Sequence, residues 1–354
     1  MKTKRIIRFS IIIALLFTVL YLLIAAKPLS KEYQYTPVWK ISTSNPVVKQ
    51  VSQNQKKFHF HLGQTLGYFT PDGDISLYES FPSKVSISDK YYAVYDSNAK
   101  NTPFYSQDGE QAGTITKSGY PYFKNDLIYV FLPGGASFTK CNPDGSESWT
   151  FEGTIPITAF AAKEKYTAVG FADGTIKVFN NTNGSDESTF VPGGSDYPVI
   201  LGIDISDDGQ YVASISGHNQ QRFVLSHREE NQQKIIFHSF LDSESPYQTV
   251  VHFCNDGKRV LYNYKNNLGI YDINSKKNSY VKLSSKIISV EENNDFVFLL
   301  GKDREKYTVS MIEQTNTLAG SFTFTANTAF IHSDNENLYV GKDSSISCIL
   351  ITKE

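Results

Sequence analysis

Short β-type segments separated by Asp-Gly turns recur along the chain from residue 36 onward. Val, Ile, Tyr, Phe and Thr alternate with polar residues in these segments, and Asp-Gly is typical of tight turns between paired strands. After the N-terminus, no stretch keeps apolar residues three and four apart for three helical turns. The sequence therefore predicts an all-β fold assembled from hairpins.

Two recurring turn motifs define the repeat. In the first, a strand ends in Asp-Gly and leads directly into the next strand, with copies at residues 67–78, 103–110, 136–151 and, more loosely, 169–179. In the second, an Asp-Gly or Asp-Asn turn joins two apolar strands, at residues 206–213, 254–261 and 332–339. Both turns fit into one four-stranded unit.

Alignment on the first strand of each unit predicts eight units, with seven as the alternative. The first strands are expected to begin near Val47, Lys84, Tyr120, Ile157, Leu201, Val250, Ile287 and Thr328. A spacing of about 36 to 50 residues is typical of propeller blades. A four-stranded meander cannot cover both of its faces alone, whereas radial packing around an axis does. We therefore predict a β-propeller of eight four-stranded blades.

The last unit supplies only three strands, the third of which is predicted from Ser345 to Ile351, and a lone strand at residues 36–42 precedes the first unit. Trp39 in this lone strand resembles Trp149 in position and pattern. We expect strand 36–42 to become the outermost strand of the last blade and to close the ring. The alternative is that these residues form a linker.

An apolar segment from Phe9 to Ala26 follows four basic residues, Lys2, Lys4, Arg5 and Arg8. It has 18 residues without charge, which is at the lower limit for a membrane span and longer than the apolar part of a cleaved signal peptide. The positive-inside rule places the N-terminus in the cytoplasm. We predict that residues 1–30 form a cytoplasmic tip and an uncleaved membrane anchor, and that residues 31–354 form a propeller in the periplasm or outside the cell.

The balance of charge argues against a nucleic-acid partner. The chain has 34 Lys and Arg residues against 36 Asp and Glu residues, and its formal net charge is −2. Binding to a phosphate backbone requires concentrated positive charge.

Cysteine occurs only at positions 141, 254 and 348, without the close spacing of a metal motif, so these residues are expected to be small buried side chains.

The pattern strand-Pro-Asp-Gly-x-x-x-Trp, clearest from Phe138 to Phe151, resembles the repeat of the PQQ-like propeller superfamily. The later Asp-Gly hairpins resemble those of WD40-like propellers. The resemblance implies eight blades and an N-terminal closing strand. It also implies either a quinone-cofactor dehydrogenase or a non-enzymatic scaffold of the BamB type. Such dehydrogenases carry adjacent cysteines and a calcium-binding set of carboxylates. This sequence has no Cys-Cys pair and no recognisable acidic ligand cluster, so we predict no cofactor and no catalytic centre.

Four histidines are the weak candidates for site residues. His59 and His61 lie two apart on a predicted strand and so point to one face, which is a spacing that can hold a metal ion. No third ligand is close to them in sequence, and a solvent-facing or inter-blade pair is the favoured alternative. His252 and His332 lie near the ends of predicted innermost strands. They could line the mouth of the axial channel or hydrogen-bond the following turn.

The leading hypothesis is a non-catalytic propeller that presents a binding face to another envelope or membrane protein. Aromatic residues make up 14% of the chain, and exposed tyrosines suit a protein interface. The longest inter-blade connections, Pro192–Pro198 and Asp242–Gln248, are expected to carry adjustable contacts. The alternative is an enzyme or small-ligand sensor that uses the axial channel, because catalytic groups drawn from separate blades leave no linear motif.

Overall fold

The computed structural model describes residues 13–21, 33–96, 100–194, 196–230 and 232–353. Residues 13–21 form a short helix. Within these described ranges, no helix combines the length and the apolar character required to cross a membrane. The predicted anchor from Phe9 to Ala26 lies partly outside the described residues, and the basic residues before it lie wholly outside them.

Eight antiparallel sheets form the described chain from residue 33 onward, and the prediction of an eight-bladed all-β propeller is confirmed. The first strand of the chain is β1 (Tyr33–Ser42), which belongs to blade 8. Blade 1 contains β2 (Phe58–Leu62), β3 (Thr65–Phe69) and β4 (Ile75–Ser80). Blade 2 contains β5 (Lys84–Ile87), β6 (Tyr91–Tyr95), β7 (Thr102–Ser106) and β8 (Gln111–Ile115). Blade 3 contains β9 (Tyr120–Lys124), β10 (Leu127–Phe131), β11 (Phe138–Cys141) and β12 (Glu147–Phe151).

The second half of the ring repeats the four-stranded pattern. Blade 4 contains β13 (Ile157–Ala162), β14 (Tyr166–Phe171), β15 (Ile176–Asn180) and β16 (Asp186–Phe190). Blade 5 contains β17 (Ile200–Ile205), β18 (Tyr211–Ser216), β19 (Arg222–Glu229) and β20 (Gln232–Phe240). Blade 6 contains β21 (Val251–Phe253), β22 (Arg259–Tyr264), β23 (Asn267–Asp272) and β24 (Lys277–Lys282). Blade 7 contains β25 (Lys286–Glu292), β26 (Phe296–Asp303), β27 (Lys306–Glu313) and β28 (Leu318–Thr325). Blade 8 contains β29 (Ala329–Asp334), β30 (Asn337–Lys342), β31 (Ser345–Lys353) and β1.

The hydrophobic core is divided among the interfaces between neighbouring blades. In the described part of the chain, buried apolar side chains form eight clusters, and each cluster is shared by two adjacent blades. The first strands of neighbouring blades, here called the inner strands, contact one another around the axis, for example β13 with β17 and β2 with β29. The stabilising free energy is roughly proportional to the apolar surface that is buried. Because every interface between blades buries such a cluster, stability is distributed around the whole ring.

Aromatic rings cover glycines on adjacent strands in four blades. The directly paired residues are Phe60 and Gly67, Phe104 and Gly113, Tyr262 and Gly269, and Phe330 and Gly341. At each of these glycines a Cβ atom would lie within 2.7 Å of the partner ring. The ring therefore occupies the space of the missing side chain, which explains why glycine is tolerated inside these strands.

Seven of the eight predicted starts of inner strands agree with the structure to within one residue, from Lys84 in blade 2 to Ala329 in blade 8. The prediction of an inner strand beginning near Val47 is wrong. Val48 instead forms an isolated parallel bridge with Ile75, on the outer edge of β4. The segment before Phe58 is mostly polar, whereas the strand from Phe58 to Leu62 buries every second side chain. Because of this alternation, β2 and not the segment near Val47 is the inner strand of blade 1. Blade 1 therefore has three strands.

Blade 1 also reverses the direction of its inner strand. The backbone N–H of Phe81, just before β5, donates to the carbonyl oxygen of Gln64, just after β2, at 3.1 Å. At the other end of β2, the His59 side chain contacts Asp89, which follows β5. The end of β2 is thus next to the start of β5, so β2 runs opposite to its neighbour. The chain crosses from the rim to the axis between residues 49 and 58.

The N-terminal strand β1 pairs antiparallel with β31, from Tyr33 opposite Lys353 to Ser42 opposite Ser345. It forms the outermost strand of blade 8.

The turn motifs occupy different positions in different blades. The turns at Gly109 and Gly145 join the third and fourth strands of their blades, whereas the turn at Gly174 joins the second and third. The loose fourth copy, residues 169–179, is therefore not equivalent to the copies at residues 103–110 and 136–151.

Candidate functional site

His59 lies at the start of β2 and contacts the turn that follows the inner strand of blade 2. Its Nδ1 is 2.6 Å from Asp89 Oδ1, and its backbone N–H donates to the same oxygen at 3.3 Å. Asp89 follows β5 at the β5–β6 turn. The reversed direction of β2 places His59 at this end of the axis, where the first hairpins of the other blades turn.

His332 lies on β29, the inner strand of blade 8, and packs against His59. Its Nε2 is 2.8 Å from the carbonyl oxygen of His59, and the centroids of the two imidazole rings are 4.7 Å apart. Its Nδ1 is 3.7 Å from Glu291 Oε1 on the neighbouring inner strand β25. The ring also stacks on Phe58 with centroids 5.4 Å apart. Ring closure thus brings together two histidines that lie 273 residues apart.

His252 lies on β21, the inner strand of blade 6, between two carboxylates from neighbouring blades. Its Nε2 is 2.6 Å from Glu292 Oε1, and its Nδ1 is 3.8 Å from Asp204 Oδ2. Glu292 also accepts the backbone N–H of Asn255 at 3.1 Å, and Asp204 accepts the N–H of Phe253 at 2.7 Å. The turn after His252 is therefore held by Glu292, a carboxylate that the sequence did not single out.

His61 is separate from the other three candidates. It shares a face of β2 with His59, as the spacing predicted, but its Nε2 is 3.1 Å from the carbonyl oxygen of Gly63. Its ring centroid is 5.4 Å from that of Phe81. The two histidines of this strand therefore point to different partners, and the spacing of two does not create a shared ligand pair.

Seven titratable side chains lie around part of the axis in two contacting groups, which are joined only through the backbone of the adjacent residues Glu291 and Glu292, and we call the whole set the axial polar chain. Its members, in spatial order, are Asp204, His252, Glu292, Glu291, His332, His59 and Asp89. They come from blades 5, 6, 7, 8, 1 and 2. Blades 3 and 4 contribute the aromatic side chains Tyr122 and Phe160 from their inner strands, with ring centroids 5.7 Å apart. With four carboxylates and three imidazoles, the axial polar chain is suited to hold protons or cations.

The surroundings shift the pKa values of three members of this chain. Burial lowers the pKa of His59 more than the Asp89 carboxylate raises it. Burial also acts to lower the pKa of His332, but Glu291, Asp89 and the carbonyl group of His59 together outweigh it, and the pKa of His332 is raised. Burial would raise the pKa of Asp89, but the hydrogen bond and charge of His59 lower it to about 2. Asp89 is therefore ionised at neutral pH.

A second feature is a group of exposed aromatic side chains on blade 5 and its flanking connections, which we call the aromatic rim. It consists of Tyr197, Phe240 and Tyr247, whose exposed fractions are 60%, 58% and 68%. Tyr197 and Tyr247 lie on the two connections that the sequence singled out, and Phe240 ends β20. Large apolar groups exposed together mark interaction surfaces more often than single exposed residues do.

Polar contacts tie both connections to the turn between β18 and β19. The backbone N–H of His218 donates to the carbonyl oxygen of Tyr197 at 3.2 Å, and the Gln221 side chain donates to that of Ser245 at 2.6 Å. The Arg222 guanidinium donates to the carbonyl oxygen of Pro192 at 3.1 Å. The aromatic rim is therefore supported by a fixed framework, in contrast to a pair of independent loops.

Two cations border the aromatic rim. The Arg222 guanidinium carbon is 5.6 Å from the ring centroid of Phe240, and Lys286 Nζ is 5.3 Å from that of Tyr247. A cavity of about 160 Å³ opens beside Tyr247, and its lining includes Ser243 and Lys286. Aromatic groups with arginine beside a small cavity are typical of residues that anchor protein interfaces.

Comparisons with known proteins agree with the fold. A family model described as a beta-propeller protein matches residues 1–353. An uncharacterized protein of Treponema pallidum (strain Nichols) is 24% identical over 360 residues, which cover 99% of this chain and 95% of that protein. The two chains therefore match along almost their whole lengths.

Two solved structures have a similar fold. BamB from Moraxella catarrhalis superposes with a TM-score of 0.60 at 11% identity, covering 90% of this chain and all of that one. The computationally designed Ika8 protein superposes with a TM-score of 0.59 at 12% identity, covering 86% of this chain and 99% of that one. At these identities the likeness describes the architecture alone, and the resemblance to PQQ-like propellers found in the sequence agrees with it.

Proposed function

We propose, from the premise that this chain belongs to a family of β-propeller proteins, that it is a non-catalytic scaffold that binds another envelope or membrane protein through the aromatic rim. The observation that carries the proposal is the exposure of Tyr197, Phe240 and Tyr247 on a framework held by hydrogen bonds. Rigid aromatic side chains lose little conformational entropy on binding and supply large contact areas.

The mechanism follows from the arrangement of the aromatic rim. An apolar side chain of the partner would pack against Tyr247 and a polar group would enter the polar cavity beside it, while Arg222 and Lys286 would contact polar groups at the edge. The surrounding polar residues would exclude water from the anchors. Such a surface binds without a chemical step, which agrees with the absence of a catalytic motif in the sequence.

Membrane attachment is the second part of the proposal. The basic residues before the apolar segment from Phe9 to Ala26 support an anchor with its N-terminus in the cytoplasm and the propeller on the other side of the membrane. An anchor confines the propeller to the surface where a membrane-bound partner lies, which raises the effective concentration of the two proteins. Modest intrinsic affinity would then be sufficient for binding.

Site-specific photo-crosslinking in intact membranes tests the proposal. A photoreactive phenylalanine would be placed at Tyr197 or Tyr247, with Val47 as a matched exposed control position on the opposite part of the ring. We expect one species to be captured from both rim positions and not from residue 47, and mass spectrometry would identify it. Equal capture at all three positions, or none at any, would contradict the proposal. Deletion of residues 1–30 should release the propeller from membranes and reduce capture.

The axial polar chain favours a second candidate, a small-ligand or enzymatic function in the axial channel. Seven titratable groups in two contacting groups around the axis are more than the packing of inner strands requires. Native mass spectrometry of the purified protein distinguishes the two candidates. A bound small molecule that is lost on substitution of Glu292 or His252 would favour the channel, whereas a captured protein partner and no such molecule would favour the scaffold.

A further inference from the structure

We propose that His59, Asp89 and His332 form a binding site for a divalent transition-metal ion, for which Zn²⁺ is the best match, at one end of the propeller axis. One ligand atom from each of the three residues lies within 4.8 Å of the other two. Two imidazole nitrogens and one carboxylate oxygen are a ligand set that suits zinc and its neighbours in the first transition series. Calcium and magnesium prefer sets made of oxygen atoms alone.

The three ligands are supplied by three blades that meet at the closure of the ring. His59 comes from β2 of blade 1, Asp89 from the β5–β6 turn of blade 2, and His332 from β29 of blade 8. Each residue is positioned by its own strand or turn, and the first contact among them, between His59 Nδ1 and Asp89 Oδ1, is 2.6 Å. A metal ion at the site would therefore link the first two blades to the last.

The distances require small side-chain adjustments and no change of fold, because the 2.6 Å between His59 Nδ1 and Asp89 Oδ1 must lengthen while the longer distances shorten. Zinc bonds of about 2.0–2.1 Å in a tetrahedron place ligand atoms roughly 3.3 Å apart, compared with the 4.8 Å limit for this group. Side-chain movements of about 1 Å close that difference. His332 Nε2 would exchange its contact with the carbonyl oxygen of His59 for the metal.

The surroundings already hold His332 in a ligand-like orientation. Glu291 Oε1 is 3.7 Å from its Nδ1, and metal-binding histidines commonly direct their second nitrogen to a carboxylate. The stacked ring of Phe58 and the ring of Phe330, whose centroid is 5.3 Å from that of His332, restrict the imidazole. Glu291 is thus assigned as a positioning residue for the metal ligand.

Solvent exposure increases from His332 to His59 to Asp89, so a metal ion can enter the site from the side of Asp89. The side chains of His332, His59 and Asp89 are 7%, 29% and 49% exposed. The metal would reach His59 and Asp89 from solvent, and the buried His332 would complete the set. Three protein ligands leave a fourth position of a tetrahedral ion open to water or to a donor from a partner.

The experiment is a calorimetric titration of the full-length, tag-free protein in detergent with Zn²⁺ after treatment with a chelator. We expect one equivalent to bind, and we expect the dissociation constant to rise at least tenfold in Asp89→Asn and in His59→Asn. His61→Asn is the matched control, since His61 is on the same strand face but bonds elsewhere, and it should bind as the wild type does. Circular dichroism and melting curves confirm that each variant is folded.

Two further readouts separate a metal site from non-specific binding. Co²⁺ in place of Zn²⁺ should give the visible absorption of a nitrogen- and oxygen-ligated ion, and Asp89→Asn should change that spectrum. Glu291→Gln should weaken binding by about 10- to 100-fold without changing the stoichiometry, as expected for a group that orients a ligand. Absence of stoichiometric Zn²⁺ binding, or equal affinity in wild type, Asp89→Asn and His59→Asn, would overturn the proposal, as would preferential binding of Ca²⁺.

Discussion

The indole N–H of Trp39 donates a hydrogen bond of 3.1 Å to the carbonyl oxygen of Pro71. Trp39 belongs to the closing strand of blade 8 and Pro71 to a turn of blade 1, so this bond crosses the point where the ring closes. Trp149 makes the equivalent bond between blade 3 and blade 4, to the carbonyl oxygen of Asn181 at 3.0 Å. The indoles also pack against Gly73 and Gly184, where a Cβ atom would come within 3.0 Å or 2.7 Å of the ring.

Trp39→Phe tests the contribution of this bond to ring closure. Phenylalanine keeps aromatic contacts with Phe69 and Tyr339 but has no donor, so the Pro71 carbonyl loses its partner. We expect a loss of about 1 kcal/mol in the free energy of unfolding, measured from urea denaturation. Trp149→Phe is the matched control within the ring and should cost a similar amount. An unchanged midpoint for Trp39→Phe would show that the closure bond does not contribute.

Gly341→Ala tests whether aromatic rings replace missing side chains in the strands. The added Cβ would lie 1.9 Å from Phe330, so the ring must move out of the interface between blades 8 and 1. We expect destabilisation of about 1–3 kcal/mol, detected as a lower melting temperature. In the background of Phe330→Leu, the same substitution should cost clearly less, because the ring is gone. Equal costs in both backgrounds would contradict the steric explanation.

Acid should weaken the contact between Glu187 of blade 4 and Arg228 of blade 5. The two side chains are 2.7 Å apart and each about one-fifth exposed, and the hydrogen bond from Arg228 lowers the pKa of Glu187. A lowered pKa in the folded state stabilises the protein above the unfolded pKa of about 4.3 and loses that contribution as the pH falls through the folded pKa. We therefore expect Glu187→Gln to reduce the free energy of unfolding by roughly 1 kcal/mol near neutral pH.

The pH dependence of the free energy of unfolding tests whether the ionised carboxylate of Glu187 causes this difference. At pH values well below the lowered folded pKa of Glu187, wild type and Glu187→Gln should approach equal stability, because the carboxylate of the wild type is then protonated. Glu244→Gln is a control at an exposed position on another blade connection. Urea denaturation at several pH values measures the difference. A gap between wild type and Glu187→Gln that stayed constant through the acid range would rule out the titration of Glu187 as its cause.

Local signals account for the parts of the fold that the sequence predicted. The inner strands beginning at Lys84, Tyr120 and Ile157 follow turn residues and alternate in hydrophobicity, so neighbouring positions alone define them. The prediction that the inner strand of blade 1 begins near Val47 was wrong because two segments, residues 47–51 and 58–62, compete for the same inner position. Residues 58–62 bury more aromatic surface than residues 47–51 and take the inner place. Neither segment by itself reveals the outcome.

The axial polar chain could be predicted only in part. His252 and His332 were placed near the ends of inner strands by the repeat alone. The pairing of His59 with His332 depends on the reversed direction of β2 and on closure of the ring, and both are long-range properties. Asp89 and Glu292 occupy an ordinary turn and an ordinary strand end, so no local pattern distinguishes them. Their role becomes visible only when six blades meet at the axis.

The pairing of β1 with β31 also sets an order of events during synthesis. About 300 residues separate Ser42 from its partner Ser345, and a ribosome adds them in about 15 to 60 s at roughly 5–20 residues per second. The strand that emerges first is therefore the one that pairs last. Throughout that interval the ring of blades cannot close. The backbone donors and acceptors of β1 that pair with β31 have no partner strand until the final residues of the chain are made. Translation that stops before Ser345 would leave the closing strand permanently without its partner.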